Sequence, residues 1–184
     1  MKVLIITNES EIFLVQDDNG RHSRRYAQLS EEESSGMVPA KELFGGRFTE
    51  VRSFRDRISR KVYAEMAIIT KGNGLIEGRT LIKPYLGYVS TYQDICDTEE
   101  KYALCENLRK MMDGYDITIF CIPKNILSFF IDRDVFSIKS KIIFITSRDL
   151  DIRLHNDSYI LLPRRGARVG RDNAQKIEQI LYDV

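Results

Sequence analysis

Five short runs of apolar, largely β-branched residues recur along this chain: Lys2 to Thr7, Val62 to Thr70, Asp116 to Ile122, Lys141 to Thr146 and Ser158 to Leu162. They lack the strict polar alternation of a half-exposed strand, which is the mark of strands covered on both faces by helices. Helical patterns lie between them: Pro39 to Phe44, a stripe of Phe48, Val51, Arg52, Arg55 and Ile58, the face Tyr102, Cys105, Leu108 and Met112 within Thr98 to Met112, and Lys124 to Ile131. After the last strand, Asp172 with Gln175 has capping-box spacing and opens a helix with Ala174, Ile177, Ile180 and Leu181 inward. The alternation predicts a three-layer α/β/α sandwich with a mostly parallel central sheet of about five strands.

A length of 184 residues suits one α/β domain over 1–184. The stretch at about 8–36 departs from the alternation. It holds a hairpin signal (Ile12 to Val15, turn Asp17-Asp18-Asn19-Gly20), the basic Arg21-His22-Ser23-Arg24-Arg25 and the acidic Glu31-Glu32-Glu33, and reads as a polar insertion. A net charge of +1 excludes a whole-molecule field that would draw the protein to a polyanion, so such binding needs a local patch. Cys96, Cys105 and Cys121 are odd in number and lack zinc-site spacing, which reads as reduced thiols in a cytoplasmic protein. No apolar run reaches the roughly twenty residues of a membrane span.

The local patch is in Pro163-Arg164-Arg165-Gly166-Ala167-Arg168-Val169-Gly170-Arg171. Arg164, Arg165, Arg168 and Arg171 lie between a strand and a helix start, where cations oppose the helix dipole unless an anion offsets them. Gly166 and Gly170 let the backbone approach a ligand, and guanidinium groups grip oxyanions with two donors each. This composes an anion site of Arg164, Arg165, Gly166, Arg168, Gly170 and Arg171, although the spacing matches neither a Walker loop nor a dinucleotide fingerprint. The bland alternative is a solvated loop paired with Asp149, Asp151 or Asp157.

A second candidate follows the Val62 to Thr70 strand, because ligands in open α/β sheets lie beyond the carboxyl ends of strands. Thr70, Lys71, Gly72, Asn73 and Gly74, with Tyr85, would line a pocket there; the competing reading is an ordinary tight turn. Tyr85, Tyr88 and Tyr92 offer stacking faces, a role aromatic residues fill less often than packing. His22 and His155 have no partner ligands at metal spacing, and no cofactor motif is present. Cys121 reads as a buried thiol, and Asp132 with Asp134, or Asp149 with Asp151, as loop polarity.

Three segments in order resemble a known family: Ala40-Lys41-Glu42-Leu43-Phe44, then Ala67 to Ile76 with Lys83-Pro84-Tyr85, and Leu162 to Gly170. The family comprises small α/β domains distantly similar to the peroxide-stress YaaA proteins and to the accessory domain of archaeal tRNA-guanine transglycosylase and archaeosine synthase, with a uracil-DNA glycosylase-like fold. About half the chain takes part. The resemblance implies work near nucleic-acid bases or modified nucleosides, with Lys71, Gly72, Gly74, Pro84, Tyr85, Arg165, Gly166 and Gly170 at the matched positions. Where the family's first strand often ends in Ser or Cys followed by Lys, this chain has Thr7-Asn8-Glu9. The resulting expectation is a nucleotide- or nucleic-acid-associated domain that holds phosphate at the arginine loop and acts on a nucleoside or modified base. A non-catalytic protein-interaction module and a small-molecule phosphate-ester enzyme are the alternatives.

Overall fold

In the computed structural model, which describes residues 1–136, 140–147, 159–164 and 168–182, the apolar runs assemble as one sheet. Its strands are β1 (Lys2–Asn8), β5 (Tyr63–Thr70), β6 (Gly74–Glu77), β8 (Ile117–Cys121), β9 (Lys141–Thr146) and β10 (Tyr159–Pro163), in the order β10-β9-β8-β1-β5-β6. The sheet has six strands rather than about five, because Gly74–Glu77 folds back antiparallel on β5 while every other pairing is parallel. Counted among the parallel strands alone, the order is 2-1-3-4-5, the doubly wound arrangement whose strand order reverses between β1 and β8.

Pleating sends alternate side chains to opposite faces, so each strand feeds two cores. Val3 and Ile5 join Phe48, Val51, Phe54 and Ile58 of α3 (Phe48–Ile58) and Ala174, Ile177 and Leu181 of α7 (Arg171–Tyr182). Leu4 and Ile6 join α4 (Tyr92–Tyr102), α5 (Leu104–Met112) and α6 (Lys124–Asp132). The three-layer sandwich follows from this partition. In α3 the inner stripe is completed by Phe54, while Arg52 and Arg55 lie at its half-buried margin.

The insertion folds as the hairpin β2 (Ile12–Asp17) and β3 (Gly20–Arg25), then α1 (Glu31–Ser35), with Phe13 anchored in the α3 core. The short β4 (Val38–Pro39) pairs with β7 (Leu81–Ile82), and α2 (Ala40–Leu43) follows β4. A cavity of about 1070 Å³ opens between these pieces, lined in part by Leu14, Arg24, Leu29, Val38, Leu43 and Pro84.

Two local expectations are corrected. Thr98 to Met112 is not one helix: Ala103 takes a left-handed φ of 51°, and the carboxylate of Glu99 accepts from the Cys105 amide at 2.8 Å. Capping the start of α5 offsets a left-handed alanine, which costs roughly 1–2 kcal/mol. Asp172 does not cap the last helix. The Gly170 carbonyl accepts from the Ala174 amide at 3.0 Å, which makes Gly170 the cap and leaves Asp172 in the first turn, where its charge still suits the dipole.

Candidate functional site at the strand-order reversal

Because α3 covers one face and α6 the other, the chain leaving β1 and the chain leaving β8 part company at the carboxyl edge of the sheet. Such a divergence makes the crevice in which open α/β sheets bind ligands. Two groups of polar side chains border it, one on each face.

On the α3 and α7 face, Arg168 crosses the end of β1. The residue is 7% exposed, and its guanidinium donates to Thr7 Oγ1 at 2.8 Å, to the Asn8 carbonyl, and to the Glu9 carbonyl at 2.9 Å. The main-chain amides of Arg168, Val169 and Gly170 all donate to Glu50 of α3, at 2.9, 3.1 and 2.6 Å. The main-chain donors at this helix start therefore hold the protein's own carboxylate, whose charge also acts on Arg164 and Arg168. Burial lowers the Arg168 pKa to about 10, and the neighbouring Arg164 adds to the effect.

Arg164, just beyond β10, differs from Arg168. Its Nη1 is buried with no hydrogen-bond partner among the described residues, and burial lowers its pKa, with the Arg47 charge acting in the same direction and Glu50 opposing it. Arg171 is exposed and borders a cavity of about 250 Å³ with Pro163, Gly170, Asn173 and Lys176. Arg165, Gly166, Asp149, Asp151, His155 and Asp157 lie outside the described residues.

On the α4 and α6 face, alternation from Ile6 places Asn8 on the same side as Ile122 and, from Phe144, Thr146. The pairings Thr7 with Cys121 and Phe120 with Phe144 put Asn8, Ile122 and Thr146 level with one another. Two strand spacings separate the outer pair, roughly 10 Å. Asn8 is 4% exposed and Thr146 fully buried, yet among the described residues Asn8 Oδ1 and Thr146 Oγ1 have no hydrogen-bond partner. The Asn8 amide nitrogen makes only a 3.3 Å bond to the Glu9 carbonyl. An unsatisfied buried polar atom costs about 1–3 kcal/mol, so a row of them needs a reason. Thr118, also buried with an orphaned hydroxyl, sits within β8 among core side chains, where threonine packs in the manner of valine.

The second candidate segment forms the turn between β5 and β6. Thr70 donates to the Gly74 carbonyl at 3.0 Å and accepts from the Asn73 amide at 3.1 Å, closing the β5–β6 hairpin. A Cβ on Gly72 would sit 3.2 Å from the ring of Tyr85, and one on Gly74, at φ +71°, 2.7 Å from Cβ of Tyr102. Both glycines thus serve close packing over tyrosines. The Lys71 ammonium is tied to Asp94 at 2.8 Å. Burial raises Asp94, but bonds from Lys71 and Thr91 outweigh it and hold its carboxyl below the ordinary range.

Tyr85 turns its hydroxyl to a residue absent from the sequence expectations, Glu9. Glu9 is 1% exposed, and its carboxyl also accepts from the amides of Lys71 at 2.7 Å and Val89 at 2.8 Å. Burial pushes it up to about 8, against the lowering by those two amides. Cys121 is buried and pushed by burial up to about 12, which leaves no nucleophilic thiolate at neutral pH. Among the described residues, no group of three or more His, Cys, Asp or Glu is placed to hold a metal ion, and no helix is long and apolar enough to cross a membrane. No family model, curated protein or solved structure matches this chain.

Proposed function

We propose that this protein binds a nucleotide-like ligand across the carboxyl edge of β1, β8 and β9, its anionic end against Arg164 and its uncharged polar body against Asn8 and Thr146. The observation that carries the reading is the set of buried polar atoms left without partners, among the described residues, on both sides of one strand-order reversal: Asn8 Oδ1, Thr146 Oγ1 and Arg164 Nη1. A phosphate alone would answer the arginine and leave the amide and hydroxyl orphaned; a neutral nucleoside would do the reverse. A molecule with a charged end and hydrogen-bonding body satisfies both, and Arg168 with Glu50 forms the rigid frame between them.

Titration calorimetry with a nucleoside monophosphate, the matching nucleoside and inorganic phosphate tests this. The monophosphate is expected to bind more tightly than either part. Arg164→Ala weakens it at least about tenfold, the scale of a charged hydrogen bond, and leaves the nucleoside unchanged. Asn8→Leu weakens nucleoside and monophosphate together, about fivefold or more. Absence of binding by all three, or binding indifferent to both substitutions, removes the reading. A short RNA distinguishes a polymer from a mononucleotide, since only the polymer gives a steep salt slope.

The alternative of a protein-interaction module draws on a different region. Met37, Leu81 and Leu86 are 62, 56 and 79% exposed on the segments that flank the insertion cavity. Co-purification of a partner, lost on Leu86→Lys, with no response of Tm to nucleotides, would favour it.

A further inference from the structure

One carboxyl gathers three segments remote in sequence. Glu9, at the exit of β1, receives the Lys71 amide from the β5–β6 turn, the Val89 amide from the segment before α4, and the Tyr85 hydroxyl from the same segment. Both amides bond to Oε1 and the phenol to Oε2, so Oε1 joins the turn to the 85–89 segment and Oε2 holds that segment a second time. Among the described residues, no ion pair reaches this carboxyl. Lys71, whose charge acts on this carboxyl, gives its ammonium to Asp94 of α4, and Arg168, from the loop before α7, takes the Glu9 carbonyl and not its carboxylate. Glu9 is thus a nearly fully buried acid whose facing groups are Lys71, Asp94, Tyr85 and Arg168, and none of them neutralises it directly.

We propose that Glu9 is a proton-operated clasp: carrying its proton it locks the 71–73 turn and the 85–89 segment over β1, and on losing it releases them. A protonated carboxyl keeps Oε1 as acceptor for the two amides, and with its proton on Oε2 it donates to the Tyr85 oxygen in place of accepting from it, so the amides and the acid proton are satisfied without net charge. Removal of the proton places an unpaired anion in a dry site, which costs more than the two amides and a phenol return, and hydration by loop opening is the way out. The upward displacement of this group to about 8 by burial agrees with that balance.

Hydrogen exchange of the Lys71 and Val89 amides, read by NMR between pH 6 and 9.5 against the β1 amides as internal reference, tests the clasp without any ligand. Its outcome is therefore separate from that of the nucleotide reading. An opening coupled to loss of one proton grows about tenfold per pH unit above the transition, so protection at Lys71 and Val89 should fall by that factor relative to β1 beyond about pH 8. Glu9→Gln keeps an acceptor and has no proton to lose, and should hold the ratio flat. Ratios that are flat in the wild type, or fall equally in both proteins, overturn the proposal. Should Glu9→Gln not fold, the carbon chemical shift of the Glu9 carboxyl in the wild type decides. A midpoint near 8 that coincides with amide release upholds the clasp, and a midpoint in the ordinary carboxylate range overturns it.

Discussion

The two sides of the carboxyl edge handle polar groups in opposite ways. On the α3 and α7 face, amides and guanidinium groups find partners inside the protein: Glu50 takes three main-chain donors, and Arg168 serves three oxygens at the end of β1. On the α4 and α6 face, Asn8 and Thr146 are equally buried but have orphaned oxygens. The charge at Arg168 and Glu50 thus serves as internal frame, while the groups proposed to face a ligand include two uncharged residues with nothing conspicuous about them. Arg164, with its orphaned Nη1, belongs by position to the first side and by bonding to the second.

The contrast can be attacked through stability, and the largest effect concerns pH. The Glu9 carboxyl has an ordinary value of 4.5 and is pushed up to about 8 in the fold, so the folded state holds the proton more tightly than the unfolded one. The sign follows: its contribution is complete below pH 4.5 and is lost as pH rises through about 8. Urea denaturation should show stability falling between pH 5 and 9, by at most roughly 5 kcal/mol, and Glu9→Gln should flatten that part of the profile. A rise over the same range would contradict the burial of an unpaired acid.

Next in size, Glu50→Ala strips three amides of their acceptor and removes a negative charge that favours both Arg164 and Arg168. A loss of about 3 kcal/mol is expected, and Glu50→Gln should recover much of it. Arg168→Met should cost about 2–3 kcal/mol by orphaning the oxygens of Thr7, Asn8 and Glu9. If either variant is neutral, the first side is not a frame. The smallest effect is the most pointed. Asn8→Leu removes an amide that has little to lose, so stability in urea should change by less than about 1 kcal/mol, in either direction. A large loss there would show that Asn8 is part of the frame too.

The layers were legible in the sequence because both-face-apolar strands and 3.6-period helices are local signals. The sixth strand was hidden, since Leu75 to Glu77 is too short and mixed to announce itself and forms only by folding back on β5. The break at Ala103 was hidden because the apolar period of Tyr102, Cys105, Leu108 and Met112 runs through it, and only the reach of Glu99 to Cys105 betrays it. At the site, the arginine loop was visible as composition, but its partner Glu50 lies 118 residues from Arg168, a distance no motif spans. Glu9 had one readable sign, an acid placed immediately after a buried apolar strand. Asn8 and Thr146 had none, because an orphaned oxygen is defined by what does not surround it.

The central claim separates the orphaned row from the satisfied loop, and a two-dimensional amide NMR titration with a nucleoside monophosphate addresses it most directly. The account predicts that the Asn8 side-chain amide and the main-chain signals of Ile122 and Thr146 move on binding, while Arg168, Val169 and Gly170 stay nearly fixed beneath Glu50. Shifts concentrated at Arg168 to Asp172, with Asn8, Ile122 and Thr146 unmoved, would contradict it.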